Sequence, residues 1–181
     1  VIEAAYDSFD GILIVDEAYA EFAEELASLD LLKGRERLII SRTMSKAFAF
    51  AGVRLGYLAA SSAVVDAVRI VRLPYHLSAL TQAAALAALE GKDLMLANIE
   101  KIKIQRDRII SALRQLGLNP YPSKANFVLC SGFDNPQATF ESLLKKGVLI
   151  RNVGIPNTLR ITAGTAEETD FLLEALADTL G

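Results

Sequence analysis

Cysteine is nearly absent from this sequence, and so are long hydrophobic runs and dense basic segments. The 181 residues include one cysteine, Cys130, which excludes an intrachain disulfide and argues against a thiolate zinc site. No apolar run approaches the roughly 18 residues that a membrane-spanning helix needs. The net charge of -3, without a basic stretch, gives no support to nucleic-acid binding. We therefore expect a cytoplasmic protein without a metal, nucleic-acid or membrane partner.

Three short apolar runs in the first half of the chain predict buried strands, at residues 11–15, 38–40 and 55–60. The segment 24–32, between the first two runs, has helical character. Because strands and helices alternate, the sequence predicts an α/β fold with an open, largely parallel sheet. The first residues, Val1-Ile2-Glu3, resemble the interior of a domain. We therefore expect the chain to be a fragment of a longer protein.

Amphipathic helices and further short strands are predicted along the rest of the chain. The predicted helices are 62–72, 78–90, 93–116, 136–146 and 166–180, and the predicted strands are 126–130, 148–151 and 159–163. Ser78 and Thr165 stand where helix caps are expected. The pattern of elements changes after Pro120, and residues from about 92 onward predict a compact α+β unit. The sequence thus predicts two domains, 1–91 and 92–181.

A carboxylate and a phenol follow the first predicted strand. Asp16 comes directly after the run 11–15, and Tyr19 lies three residues later. Ligands of open α/β sheets bind outside the carboxyl ends of the strands. Asp16 can therefore face a bound cation or a protonated ring nitrogen. Taken alone, an aspartate that only caps a turn is an equally good interpretation.

A lysine among hydroxyl side chains follows the second predicted strand, in the segment Ser41-Arg42-Thr43-Met44-Ser45-Lys46. Hydroxyls and backbone N–H groups at such a turn cradle phosphate, and a lysine beside them can form a Schiff base with an aldehyde. Arg54, between Gly52 and Gly56, offers a planar fork for phosphate or carboxylate, and the two glycines would let a ligand approach the backbone closely. For each residue alone, a solvated lysine or an arginine in a surface ion pair is the simpler interpretation.

Three motifs together resemble the cofactor-binding half of the class I/II aminotransferases of pyridoxal phosphate (PLP) fold type I. They are Asp16-Glu17-Ala18-Tyr19, Ser45-Lys46 and Arg54-Leu55-Gly56-Tyr57. The resemblance implies that PLP is the cofactor and that Lys46 is the catalytic residue, which holds it covalently. It implies that Asp16 pairs with the pyridinium nitrogen and that Tyr19 hydrogen-bonds the phenolic oxygen. Thr43, Ser45 and Arg54 would bind the phosphate.

Three further segments are similar to the histidinol-phosphate aminotransferase family, namely Arg72–Ser78, Ile150–Asn152 and Leu159–Thr165. The resemblance implies that Arg160 clamps the substrate α-carboxylate and that Arg151 contacts the substrate phosphate. It implies an enzyme of histidine biosynthesis that transfers an amino group between histidinol phosphate, glutamate and 2-oxoglutarate, acting as a homodimer. Residues 1–91 would be the C-terminal part of the large PLP-binding domain, and residues 92–181 the small C-terminal domain.

Three alternatives stay open from the sequence. An aromatic amino acid aminotransferase would use the same site. A P-loop-type nucleotide-binding protein would use Asp16-Glu17 as its Walker B carboxylates, although the companion phosphate loop is absent from this chain. A domain of the PLP fold that serves only as a binding module is the third. Several residues of the family's site come from the N-terminal half, so we expect the 181 residues alone to be inactive.

Overall fold

The structure, a computed structural model, describes residues 1–181. It divides into two compact units, Val1–Leu96 and Ala97–Gly181. The division falls inside one long helix, α4 (Lys92–Gln115). The helices of the structure include none with the length and apolar character that crossing a membrane requires.

The first unit is built on a three-stranded sheet in the order β1 (Leu13–Asp16), β2 (Leu38–Thr43), β3 (Gly56–Ala59). Its helices are α1 (Ile2–Asp7), α2 (Ser62–Val71) and α3 (Ala79–Glu90). Strands β1 and β2 are parallel, as predicted, but β3 runs antiparallel to β2. The short connection from β2 to β3 contains no crossover helix, which a parallel pair would need.

The predicted helix at 24–32 is wrong. The segment contains two short 3₁₀ helices, Glu24–Leu26 and Leu29–Leu32. Ala27 lies between them in an extended conformation, with ψ of 137°. The backbone N–H of Ser28 donates to a side-chain oxygen of Glu17 at 2.5 Å, and this bond takes the place of a helical one. A long-range contact therefore overrides the local helical preference.

The second unit contains a four-stranded antiparallel sheet, the part of α4 from Ala97 onward and two further helices. The sheet order is β4 (Asn119–Pro120), β5 (Phe127–Ser131), β7 (Thr158–Thr162), β6 (Arg151–Asn152). Helices α5 (Pro136–Lys145) and α6 (Ala166–Leu180) complete the unit. Of the predicted strand 148–151 only its end pairs, because β6 begins at Arg151. Thr165 caps α6 as predicted, in a reciprocal capping box with Glu168.

The core of the second unit lies on one face of its sheet. Alternate residues of β5 and β7, including Val128, Cys130, Leu159 and Ile161, are less than 1% exposed and join a cluster with Leu176 of α6. Period-2 alternation puts the intervening residues on the opposite face. Arg160 is one of those intervening residues. The packing of the core thus determines which face of the sheet carries this arginine.

The buried thiol of Cys130 is expected to resist alkylation. Burial raises the pKa of Cys130 to about 11, and only the thiolate is nucleophilic. Below that pKa the thiol stays protonated, so iodoacetamide at pH 8 should leave native protein unlabelled and label it fully in denaturant. Mass spectrometry measures the adduct. Rapid labelling of the folded protein at pH 8 would contradict this prediction.

Candidate active site

The carboxyl ends of β1 and β2 bring two predicted site residues to one face of the first sheet. Asp16 stands opposite Ser41 in the parallel register. Thr43 lies two residues further along β2, and therefore points to the same face as Ser41. Asp16 and Ile14 on this face of β1 are exposed, whereas Glu17 is buried. The structure therefore leaves the Asp16 carboxylate accessible at the strand end.

The segment after β2 forms a closed loop that carries the lysine. The N–H of Met44 donates to the carbonyl of Leu55 at 3.0 Å, and the N–H of Phe50 donates to the carbonyl of Met44 at 3.0 Å. The hydroxyls of Thr43 and Ser45 are 2.9 Å apart. The Thr43 hydroxyl also lies 3.3 Å from the carbonyl of Leu55, next to Arg54. The loop thus places the hydroxyls of Thr43 and Ser45 side by side, near the backbone of the residue that follows Arg54.

Lys46 and Tyr19 meet although 27 positions separate them in the sequence. The Lys46 Nζ atom lies 5.8 Å from the centroid of the Tyr19 ring, within cation–π range. Lys46 is exposed, so its amino group is accessible to a ligand. The end of β1 and the loop after β2 therefore contribute to one site, which contains a carboxylate, a phenol and an amine.

Two residues of the lysine loop have left-handed backbone conformations. Ala49 has φ of 56° and Arg54 has φ of 57°. A non-glycine residue in this region carries a cost of about 1–2 kcal/mol. Such residues cluster at functional sites, where the surrounding structure maintains them. The Arg54 side chain is exposed, and its Nη1 donates to the carbonyl of Ala51 at 3.1 Å.

Glu17 and Arg42 form a buried ion pair that sequence reasoning did not predict. One carboxylate oxygen of Glu17 accepts from Arg42 Nε at 2.9 Å and from Nη2 at 2.7 Å. Burial alone would lower the pKa of Arg42, but its hydrogen bonds with Glu17 and Tyr57 outweigh burial and raise it. Because Glu17 is engaged by Arg42 and Ser28, it is not available to hold Mg²⁺ or activate water. The Walker B interpretation of this segment loses its second carboxylate.

Glu21 lies in the same region. Burial raises its pKa above the ordinary value, against the lowering effect of Arg42. Its Oε2 atom is buried without a hydrogen-bond partner. Burial therefore favours the protonated, neutral form of this carboxyl more than exposure to water would.

Gly56 serves a different purpose from the one its sequence position indicated. We expected the glycines around Arg54 to let a ligand approach the backbone. A Cβ atom on Gly56 would lie 2.8 Å from the Arg42 carbonyl, whereas one on Gly52 would meet nothing within 4 Å. Gly56 therefore permits the close pairing of β3 with β2.

A substitution at Gly56 is expected to destabilise the first unit. Gly56→Ala should lower the free energy of unfolding by about 1–3 kcal/mol, because overpacking against rigid backbone forces a shift. Gly52→Ala is the matched control and should change it by less than about 0.5 kcal/mol. Chemical denaturation measures both. Equal effects of the two substitutions would contradict the assignment.

The two remaining predicted site residues stand side by side in the second unit. Arg151 and Arg160 are directly opposite each other in the antiparallel register of β6 and β7, and therefore lie on the same face. The Arg160 guanidinium carbon is 4.7 Å from the centroid of the Phe127 ring, and its Nε is buried without a hydrogen-bond partner. Like charges directly opposite are unfavourable unless an anion compensates them. The pair is thus suited to binding an anion.

The single histidine contacts an arginine that is not among the predicted site residues. His76 Nε2 lies 3.3 Å from Arg72 Nη1, in an exposed segment of the first unit.

The residues at the ends of β1 and β2 fit a PLP molecule by their chemistry. Lys46 offers a primary amine for its aldehyde, and Asp16 offers an accessible carboxylate for a protonated ring nitrogen. The neighbouring hydroxyls of Thr43 and Ser45 offer donors for a phosphate. Exposed Arg54 adds a positive charge to this end of the loop.

Comparisons with a family model and with curated proteins agree on one family. The model of "Aminotransferase class I and II" matches residues 2–176. A histidinol-phosphate aminotransferase of Paenarthrobacter aurescens is 56% identical, over 97% of this chain and 49% of the relative. One from Streptomyces avermitilis is 51% identical, over 97% of this chain and 48% of the relative. The chain spans about half the length of these curated relatives.

Solved structures of the family share the fold. The histidinol-phosphate aminotransferase of Sinorhizobium meliloti, in complex with pyridoxal-5'-phosphate, has a TM-score of 0.84 and 32% identity, covering 93% of this chain and 48% of that one. The Clostridium acetobutylicum enzyme has a TM-score of 0.88 and 25% identity, covering 99% and 56%. These matches confirm the predicted fold class. The chain belongs to the class I and II aminotransferases, a family of PLP-dependent enzymes.

Proposed function

We propose that this chain contains the cofactor lysine of a histidinol-phosphate:2-oxoglutarate aminotransferase of histidine biosynthesis. The observation that carries the proposal is the meeting of Lys46 with Tyr19, 5.8 Å from amine to ring centroid, beside the hydroxyls of Thr43 and Ser45. The names of the relatives at 51% and 56% identity support the substrate. In the intact protein we propose a cytoplasmic homodimer with a large domain that includes residues 1–91 and a small domain of residues 92–181.

Six residues of the first unit would hold the cofactor, each at a different group of the molecule or sharing its phosphate. Lys46 would hold the cofactor covalently, and Asp16 would pair with its ring nitrogen and keep the ring protonated. Tyr19 donates to the phenolic oxygen. Thr43, Ser45 and Arg54 bind the phosphate, so that the loop closed by Met44 and Leu55 fixes one end of the cofactor.

When bound, the cofactor would supply an electron sink for the negative charge that develops at the substrate Cα. Lys46 would act as the general base that takes the proton from the substrate Cα. Arg160 orients the donor through a bidentate contact with the α-carboxylate. Arg151, on the same face of the sheet, binds the phosphate of histidinol phosphate.

The first experiment is reductive trapping. The protein is incubated with PLP, reduced with borohydride, digested and searched by mass spectrometry for a pyridoxyl-lysine. A single adduct at Lys46 is expected. Full-length protein is treated in parallel, because the chain spans about half of its relatives. Absence of a selective adduct at Lys46 in both proteins would refute the proposal.

A donor comparison tests the substrate. Histidinol phosphate should have a higher kcat/KM than phenylalanine with 2-oxoglutarate as acceptor. The reverse order would favour an aromatic amino acid aminotransferase with the same cofactor site.

A further inference from the structure

A row of polar side chains crosses the three strands of the first sheet, on the face opposite Asp16. The N–H of Glu17 donates to the carbonyl of Ser41 at 2.8 Å and extends the parallel pairing one residue beyond Asp16. Glu17 therefore stands beside Arg42. Arg42 is in turn directly opposite Tyr57 in the antiparallel pair. Side chains alternate along a strand, so this row lies on the other face from Asp16 and Thr43.

The contacts of Glu17 and Arg42 in this row are specific and largely hidden from water, whereas Tyr57 is 51% exposed. Arg42 donates from Nε and Nη2 to one oxygen of Glu17, and the other oxygen accepts from the Ser28 N–H at 2.5 Å. The side chains of Glu17 and Arg42 are 7% and 13% exposed. The ion pair thus joins the end of β1, the end of β2 and the segment that follows Tyr19.

A buried ion pair of this kind contributes little net stability, because desolvation offsets the attraction between the charges. Its geometric consequence is larger. A slip of one residue in pairing would move a strand's side chains to the opposite face, and would separate Asp16 from Thr43. The ion pair opposes such a slip, because Glu17 and Arg42 are the direct chain neighbours of those two residues.

We propose that Glu17 and Arg42 are positioning residues, which hold Asp16 and Thr43 on one face in the geometry that binds the cofactor. The proposal rests on the cofactor site of the proposed function. Neither residue touches the cofactor in this assignment. They act through the two strand ends that carry the site.

The test compares three variants of the full chain. Glu17→Met with Arg42→Met replaces the ion pair by apolar side chains of similar length, which is often neutral for stability. Glu17→Gln removes one charge. Ile40→Val is the control, because it trims a buried residue of the same strand, outside the row. Thermal unfolding ranks the stability of each variant.

Cofactor affinity is the first readout, measured by titration of PLP. The double variant should keep a melting temperature near that of the wild type and bind PLP about tenfold or more weakly, the scale seen when groups that orient ligands are removed. Ile40→Val should bind PLP as the wild type does. If the double variant fails to fold, Glu17→Gln is compared with Ile40→Val instead. Wild-type affinity in the folded variant that lacks the ion pair would overturn the proposal.

Hydrogen exchange of two amides in the cofactor-free protein is the second readout. The N–H of Ala18 donates to Asp16 Oδ1 at 3.1 Å, and the N–H of Ser45 donates to Thr43 Oγ1 at 3.1 Å. Both amides should exchange faster in the variants without the ion pair. In Ile40→Val their exchange rates should equal those of the wild type. If the wild type does not bind PLP but these amides exchange faster in the variants, the proposed function is refuted and the positioning role stands. Unchanged exchange would refute the positioning role alone.

Discussion

Lys46→Ala is expected to reduce transamination by on the order of 10⁴-fold, because the variant loses both the covalent attachment and the general base. The rate is measured with histidinol phosphate and 2-oxoglutarate in full-length protein. The structure indicates why no neighbour should substitute. Tyr19 is the aromatic side chain against the Lys46 amine, and a neutral phenol lacks the basic nitrogen lone pair with which an amine takes a proton.

Lys33→Ala is the matched control, since Lys33 is exposed in the same unit and belongs to no predicted site. It should retain wild-type activity. Borohydride should label wild type and Lys33→Ala alike and leave Lys46→Ala unlabelled. A Lys46→Ala enzyme that transaminates at the wild-type rate would refute the assignment of the cofactor lysine.

Arg160→Lys is expected to lower kcat/KM by about 10- to 10²-fold for every amino donor, since one bond of the bidentate contact is lost and a hydrogen bond to a charged group contributes about 1.5–3 kcal/mol. Lysine keeps the positive charge but not the planar fork. In the structure, the guanidinium lies against Phe127, with Nε buried and unpaired. A buried donor without a partner is unusual, and it fits a group that is completed by a bound carboxylate.

Arg151→Gln separates the two arginines. It should impair histidinol phosphate and leave glutamate nearly unaffected, because only the first donor carries a phosphate. Arg114→Gln, an exposed arginine near the end of α4, is the control. Equal losses with both donors in Arg151→Gln would contradict the division of roles between Arg151 and Arg160.

Elements with local signals were predictable from the sequence. Helix α6 begins at Ala166 after the Thr165 cap, and α3 begins at Ala79, where the Ser78 hydroxyl accepts from the N–H of Thr81. Both signals lie within three or four residues of the helix start. The apolar runs of β1 and β2 likewise predicted strands in nearly the observed positions.

Features that depend on distant residues were not predictable. The helix predicted at 24–32 failed because Ser28 bonds to Glu17, eleven positions earlier. The ion pair of Glu17 and Arg42 depends on the register of two strands, and nothing in the sequence near either residue indicates it. The sequence predicted that Gly56 makes room for a ligand. The residue for which it makes room, Arg42, is brought to it only by the pairing of β3 with β2.

The predicted site residues divide in the same way. Asp16, Thr43, Ser45 and Lys46 follow apolar runs directly, so strand ends bring them to one edge of the sheet. The meeting of Lys46 with Tyr19 required the parallel pairing of β1 with β2. Arg151 and Arg160 face each other because β6 pairs with β7. The sequence predicted a strand at 148–151, whereas β6 contains only Arg151–Asn152.

The left-handed backbone at Arg54 limits which replacements give an interpretable experiment. A valine there would remove the charge and also resist φ of 57°, so a loss of phosphate affinity would mix two causes. Asparagine tolerates this conformation more readily than other side chains. Arg54→Asn therefore removes the guanidinium without adding backbone strain. For the same reason, random mutagenesis of this loop should recover functional substitutions at position 54 from a narrower set of residues than its exposure indicates.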